Sequence, residues 1–147
     1  RLAVNDPSAA ALEMDRTRWK TQLTTEERSW VWGVIGKRSA QKLETQALTY
    51  FANGEDRFMH DDHLAWKARA GMRAGAWAHV RDAVAAMSEA QQGQPDWVYW
   101  KARALQALKL PDAATASAQA RTVSAKAVSA ATSNFPERTV RASRWDR

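Results

Sequence analysis

Apolar side chains recur at helical spacing along most of this chain. The clearest case is a stretch whose apolar positions share one face of a helix, namely Trp77, Val80, Val84 and Met87. An earlier stretch is apolar around most of its circumference, with Trp30, Val31, Trp32, Val34 and Ile35. A helix of that kind is buried on more than one side. The pattern therefore predicts an all-α fold.

Helix-start signals divide the N-terminal part of the chain. Asp6 can cap a helix, and Pro7 suits the first helical position, so we expect one helix from Pro7 to about Lys20. Thr24 and Glu27 have the spacing of a capping box and predict the start of the next helix. This second helix is the one that is apolar almost all round.

The middle of the chain carries further boundaries. Gly33 and Gly36 lower helix propensity but allow a neighbouring element to approach closely. A short helix is expected over Thr45–Phe51, followed by a polar linker over Glu55–Asp62.

Three single residues then mark helix ends. Asp62 is predicted to cap a helix over His63–Ala74, and Gly75 stands where a left-handed residue ends it. Asp96 is predicted to cap the next tryptophan-bearing helix.

Five residues, Trp66 to Ala70, recur unchanged as Trp100 to Ala104, at an offset of 34 residues. One further step back leads to Trp32. Two other columns keep this phase, namely Trp30, Leu64 and Val98, and Gly36, Ala70 and Ala104. A period of 34 is that of tetratricopeptide-like helix pairs, which bury their apolar faces by stacking on one another. We therefore expect residues 1–111 to form an α-superhelix, or solenoid, of stacked antiparallel helix pairs.

The amino-acid composition changes at residue 112. Residues 112–147 are rich in Ala, Ser, Thr and Arg and contain no Leu, Ile or Met. Alanine favours a helix over residues 113–131, although that helix has little to bury. We expect this C-terminal extension to be helical first and frayed over residues 134–147.

Composition narrows the classes of function. The chain has no cysteine, which excludes disulfides and cysteine-ligated metals. No apolar run is long enough to span a bilayer. The chain begins with Arg1 and has no leader, so we interpret it as an interior piece of a longer protein. The net charge of +6 is scattered, which argues against a nucleic-acid partner.

The candidates for chemistry are few. The run His60-Asp61-Asp62-His63 contains metal-binding residue types, but adjacent residues cannot all point at one ion, so we favour a helix entry. Glu26 and Glu27 form a carboxylate pair in the first turn of a helix, where capping is the favoured role. We therefore predict no catalytic residue, no cofactor and no metal in this chain.

Aromatic and basic residues offer binding candidates instead. Six tryptophans lie at helical spacing and are predicted to be core: Trp30, Trp32, Trp66, Trp77, Trp97 and Trp100. Trp19, near the end of its helix, is the best candidate for a surface contact. Arg69 and Arg103 hold equivalent repeat positions and could line a concave groove that binds carboxylates or phosphates, although solvated helix faces are the plainer interpretation.

Three segments resemble a known family. Residues 24–32, residues 64–70 with Trp77 and Val80, and residues 96–105 are similar, in this order and at compatible spacing, to segments of bacterial soluble lytic murein transglycosylases. The resemblance covers roughly Asn5 to Leu110 and ends after Pro111. Natural divergence or a change of reading frame would each account for the different texture beyond it.

The resemblance implies a periplasmic location and a place in the α-superhelical region that precedes a lysozyme-like catalytic domain. Enzymes of this family cleave the bond between N-acetylmuramic acid and N-acetylglucosamine without water and leave a 1,6-anhydro product. Their catalytic glutamate lies in an ES motif, followed by GLMQ and AYNAG motifs, and this chain contains none of the three. It is therefore expected to be a non-catalytic scaffold that holds peptidoglycan glycan strands for a C-terminal catalytic domain outside it. A free-standing repeat adaptor that binds a peptide or protein is the alternative.

Overall fold

In the computed structural model, which describes residues 2–110 and 112–133, all regular structure within those ranges is helical. This confirms the all-α prediction. The α-helices are α1 (Leu2–Asn5), α2 (Pro7–Met14), α3 (Thr17–Gln22), α4 (Thr25–Gln41), α5 (Ala47–Ala52), α6 (Asp61–Ala74), α7 (Trp77–Ala86), α8 (Glu89–Gln92), α9 (Pro95–Ala107) and α10 (Ala113–Ser133).

The N-terminal segment forms two helices where the sequence predicts one. The predicted start is confirmed, because the Asp6 carboxylate accepts a hydrogen bond from the Ala9 amide at 2.9 Å. However, α2 ends at Met14 and the chain is extended at Arg16 before α3 begins. Met14 and Trp19 pack in one apolar cluster, yet in a continuous helix they would point about 140° apart. The break lets both side chains reach the same core.

The start of α4 confirms the capping box. The Glu27 amide donates to the Thr24 hydroxyl oxygen at 3.2 Å, and the Thr24 amide donates to Glu27 Oε2 at 2.8 Å. Both glycines of α4 sit at close approaches, as predicted. A Cβ on Gly33 would lie 2.6 Å from His63 Nδ1, and one on Gly36 would lie 2.8 Å from the Phe51 ring.

Helix α4 is buried on two sides, as its composition predicts. On one side Trp32 and Ile35 pack with α2, and on the other the glycines meet α5 and α6. One tryptophan prediction is wrong, because Trp30 is 46% exposed. Trp32 and Trp97 are buried, and three others are half-buried against the core: Trp66, Trp77 and Trp100.

The polar linker and the Asp62 cap are also corrected. The linker contains a 3-10 turn at Asp56–Phe58, and Met59 is buried. Helix α6 begins two residues earlier than expected, with His60 at its N-cap. Asp61 then accepts hydrogen bonds from Ser88, the N-cap residue of α8, and Asp62 pairs with Lys37 on α4. Contacts with neighbouring helices thus take both carboxylates away from capping.

The Asp96 cap is wrong for a local reason. Pro95 occupies the first turn of α9, so the N-cap is Gln94 and Asp96 lies inside the helix. The end of α6 confirms the other prediction, since Gly75 is left-handed with φ 68°. Helix α7 follows at once and buries Val80 and Val84.

Consecutive helices pack in pairs, with α4 on α5, α6 on α7 and α9 on α10. Further contacts of α4 with α6 and of α7 with α9 join the pairs. The largest apolar cluster lies where α5, α6, α7 and α9 meet and includes Phe51, Leu64, Val80 and Ala104. In this arrangement α4, α6 and α9, which carry the repeat-equivalent residues Trp32, Trp66 and Trp100, each come first in a pair.

The C-terminal extension is helical where the structure describes it. Helix α10 rests on α9 through a small cluster of Val98, Ala102 and Ala120. The predicted fraying of residues 134–147 lies outside the described residues. Among the described helices, none is both long and apolar enough to cross a bilayer.

Candidate functional site

An open cleft lies beside the first turns of α4. It has a volume of about 540 Å³ and is called the Trp30 cleft here; its lining residues are Leu23, Thr24, Glu26, Glu27, Trp30, Val31, Phe58 and His60. Glu26 and Trp30 are four residues apart, so they lie one above the other on the same face of α4. The cleft therefore joins an aromatic surface to a carboxylate.

The Trp30 ring is held by two imidazoles. Its centroid lies 6.5 Å from that of His60 and 6.1 Å from that of His63, both in edge-to-face arrangements. His63 is itself buried against Gly33, and its Nδ1 atom has no hydrogen-bond partner among the described residues. The half-exposed indole is therefore braced from below by a buried side chain.

The charges of the cleft are distributed unevenly. Hydrogen bonds from the Thr24 backbone amide and hydroxyl lower the pKa of the Glu27 carboxyl, so Glu27 is ionised and committed to the capping box. Burial, and next the neighbouring His60, lower the pKa of His63, which keeps its ring neutral near pH 7. No hydrogen bond or ion pair within the described residues engages the Glu26 carboxylate, which remains open to a ligand.

This arrangement suits binding rather than acid–base chemistry. Catalysis by two carboxylates needs both groups to face one substrate bond. Here the Glu27 carboxylate accepts a hydrogen bond from the Thr24 amide and caps the helix start. Only the Glu26 carboxylate is therefore available to a ligand. The Trp30 indole supplies an apolar face. The Glu26 carboxylate and the exposed His60 imidazole supply hydrogen-bonding groups at the edge of that face.

Trp19, the predicted surface contact, is half-buried rather than free. It packs with Met14, Leu23 and Val31, and the Arg18 guanidinium lies 4.7 Å from its ring centroid. It lines a shallow groove of about 390 Å³, called the Trp19 groove. Leu23 and Val31 line both the Trp19 groove and the Trp30 cleft, so the two depressions adjoin.

The two repeat-equivalent arginines have different surroundings. Arg69 is exposed, with its guanidinium 5.1 Å from the Trp66 ring centroid and 5.6 Å from that of Trp97. Arg103 is also exposed and lines a groove of about 380 Å³ between α9 and α10, called the Arg103 groove, together with Gln106, Ser117 and Arg121. The structure thus distributes Trp19, Arg69 and Arg103 over three separate environments.

The His60-Asp61-Asp62-His63 run is also split among partners. Asp61 bonds to Ser88, Asp62 pairs with Lys37, and His63 packs against Gly33. In the described part of the chain, no group of three or more His, Cys, Asp or Glu side chains is arranged to hold a metal ion.

Trp30 is the site residue that the sequence reasoning assigned to the core. A signal was present, because Trp30 and Trp32 point about 160° apart on a helix and cannot share one partner. Glu26 falls on the Trp30 side, which marks that side as the wetter one.

Models of known protein families do not match this chain, and curated protein sequences do not match it either.

Proposed function

We propose that this chain is a non-catalytic part of the superhelical region of a peptidoglycan-cleaving soluble lytic transglycosylase. Its role is to form a curved wall of stacked helix pairs that holds glycan strands near a catalytic domain outside this chain. The parent enzyme would act in the periplasm and leave 1,6-anhydromuropeptides. The sequence resemblance in residues 24–32, 64–70 and 96–105 is the basis for naming the family.

One structural observation supports the architectural role. The three motif segments fall on α4, α6 and α9, and each of these helices packs on the helix that follows it. The repeated small-residue column, Gly36, Ala70 and Ala104, is buried in all three helices. At Gly36 the Phe51 ring of α5 fills the space that a side chain would take. Small residues at one phase are what stacked pairs need in order to approach closely.

The alternative is a free-standing tetratricopeptide-like adaptor that binds a peptide or protein. The Arg103 groove favours it specifically. Two guanidiniums, Arg103 and Arg121, flank a floor that includes the buried Ala102 and Ala120, and neither arginine has a carboxylate partner within the described residues. Such a groove suits a short acidic peptide.

Co-sedimentation with peptidoglycan sacculi tests the first proposal. Purified 1–147 is expected to pellet with sacculi and to release no soluble muropeptides, because no residue matches the catalytic glutamate motif. A chain that stays in the supernatant contradicts the scaffold role. Release of anhydromuropeptides that stops in a Glu26→Gln or Glu27→Gln variant would contradict the non-catalytic assignment. If sacculi fail and an acidic peptide binds in an Arg103-dependent manner, the adaptor is the correct function.

A further inference from the structure

We infer that the Trp30 cleft is a saccharide-binding subsite, in which an uncharged sugar ring lies on the Trp30 indole and hydrogen-bonds to Glu26 and His60. This inference deepens the proposed function, because it names the surface that would hold the glycan strand. The identity of the natural glycan rests on that proposal. The capacity of the cleft to bind a sugar rests on its own side chains.

Trp30 presents a large exposed aromatic surface. Tryptophan is the largest apolar side chain, and 46% exposure leaves on the order of 100 Å² of it in water. The residue lies in the interior of α4 rather than at a frayed end, and its ring contacts the buried His63. A large aromatic surface that is held rigid and left uncovered is typical of a binding platform, because little conformational freedom is lost when a ligand lies on it.

Polar groups lie beside the Trp30 ring. A pyranose has apolar C–H faces and a rim of hydroxyl groups, so it needs an aromatic plane and hydrogen-bonding groups at right angles to it. Glu26 supplies two acceptor oxygens one helical turn from Trp30, and His60 supplies an imidazole that can donate or accept. Thr24 and Glu27 are engaged with each other in the capping box, which leaves Glu26 and His60 as the available groups.

The charge of the Trp30 cleft favours a neutral ligand. Glu26 and Glu27 both line the cleft, and the lowered pKa of the Glu27 carboxyl keeps that group negative. A phosphate or a nucleic-acid backbone would therefore be repelled. A neutral sugar carries no such penalty, and its hydroxyls are good donors to a carboxylate.

The size of the Trp30 cleft and its continuity with the Trp19 groove suit a chain of sugars. A volume of about 540 Å³ lies within the range of roughly 300–1,000 Å³ found for small-molecule sites. The cleft is open, and it adjoins the Trp19 groove through Leu23 and Val31. A chain of several sugars can therefore leave the Trp30 cleft along the Trp19 groove, with Trp19 as a second aromatic contact. This gives the predicted contact residue Trp19 a defined place.

The inference is tested by isothermal titration calorimetry, in which the 1–147 chain is titrated with soluble oligomers of N-acetylglucosamine. We expect Trp30→Ala to weaken binding by about tenfold or more, as truncation of a central aromatic contact does. Glu26→Gln, which keeps the shape of the side chain, is expected to weaken binding by about threefold. Tyr99→Ala is the matched control, since Tyr99 is 47% exposed but lies on α9, and it should bind as the unaltered chain does.

The outcomes separate the two proposals. If the unaltered chain does not bind the oligomers, or if Trp30→Ala and Glu26→Gln both bind them unchanged, the saccharide subsite is refuted. Sedimentation with sacculi that persists in Trp30→Ala also refutes the subsite while leaving the scaffold role intact. Oligomer binding that depends on Trp30, without any binding to sacculi, supports the subsite and contradicts the scaffold role. Binding of a proline-rich peptide in place of the sugar would identify the cleft as a peptide site and overturn the inference.

Discussion

The buried ion pair between Lys67 and Asp56 leads to the sharpest stability prediction. Lys67 lies in the repeated segment of α6, and its side chain is only 7% exposed. Its ammonium nitrogen is 2.6 Å from both carboxylate oxygens of Asp56 in the 3-10 turn. The ion pair therefore holds the Glu55–Asp62 segment, which the sequence predicts to be a polar linker, against α6.

Replacement of Lys67 by Met keeps the apolar stem and removes the charge. The Asp56 carboxylate is then left without its partner in a site where its side chain is 21% exposed. Breaking a buried pair costs about 3–5 kcal/mol, and the partial access of water to Asp56 places this case near 3 kcal/mol. For a chain of this size, that loss lowers the melting temperature by about 6–12 °C.

The converse change is expected to cost more. Asp56→Ala leaves the Lys67 ammonium, the more deeply buried partner, without a counter-charge. We therefore expect the free energy of unfolding to fall by an amount toward the upper end of about 3–5 kcal/mol. The double variant Lys67→Met/Asp56→Ala leaves no unpaired charge, and its loss should be clearly smaller than the sum of the two single losses.

Lys101 is the matched control, because it occupies the same repeat position in α9. It is half-buried and forms no ion pair within the described residues, so Lys101→Met should change the unfolding free energy by only about 0.5 kcal/mol. Urea and thermal unfolding followed by circular dichroism measure all four variants. If Lys67→Met and Lys101→Met prove equally mild, the Lys67 pair behaves as a surface ion pair and this reasoning is wrong.

Three further predictions follow from packing and protonation. Gly36→Ala should destabilise the chain by about 1–3 kcal/mol, because its Cβ would meet the Phe51 ring at 2.8 Å, whereas Gly93→Ala should not; urea unfolding compares the two. Trp32→Ala, at a position 3% exposed, should cost about 3–5 kcal/mol by the same assay. The pKa of His63 is lowered by burial, so the unfolded state binds a proton first as the pH falls below about 6.5. The unfolding free energy should therefore decrease from that pH until the folded-state pKa is passed, and His63→Phe should abolish this part of the pH dependence; an unchanged profile would contradict it.

Local signals in the sequence determined much of the helical framework. The Thr24–Glu27 capping box, the Asp6 cap and the left-handed Gly75 each depend on residues within one turn of one another. Such interactions need few partners from elsewhere in the chain, so their residue types predicted these three correctly. The one-sided spacing of Val80 and Val84 likewise predicted the buried face of α7.

Two of the errors, unlike the local one at Asp96, lie where residues distant in the sequence decide the outcome. Asp62 has the right residue type for a cap, but Lys37, 25 residues earlier, engages it, and the helix starts two residues upstream. The break between α2 and α3 arises because Met14 and Trp19 must enter one cluster. No short window of sequence contains both Asp62 and Lys37, or both Trp19 and the Trp32 and Ile35 side chains of its cluster.

The candidate site was likewise decided by the tertiary structure. Helical spacing states that Trp30 and Trp32 point in nearly opposite directions, but it does not state which direction meets another helix. Helix α2 covers Trp32, while the neighbours of Trp30 are His60 and His63, which brace the ring but leave it 46% exposed. The sequence by itself determined that these residues lie on a helix; which side of that helix remains open to a ligand depends on how the neighbouring helices pack.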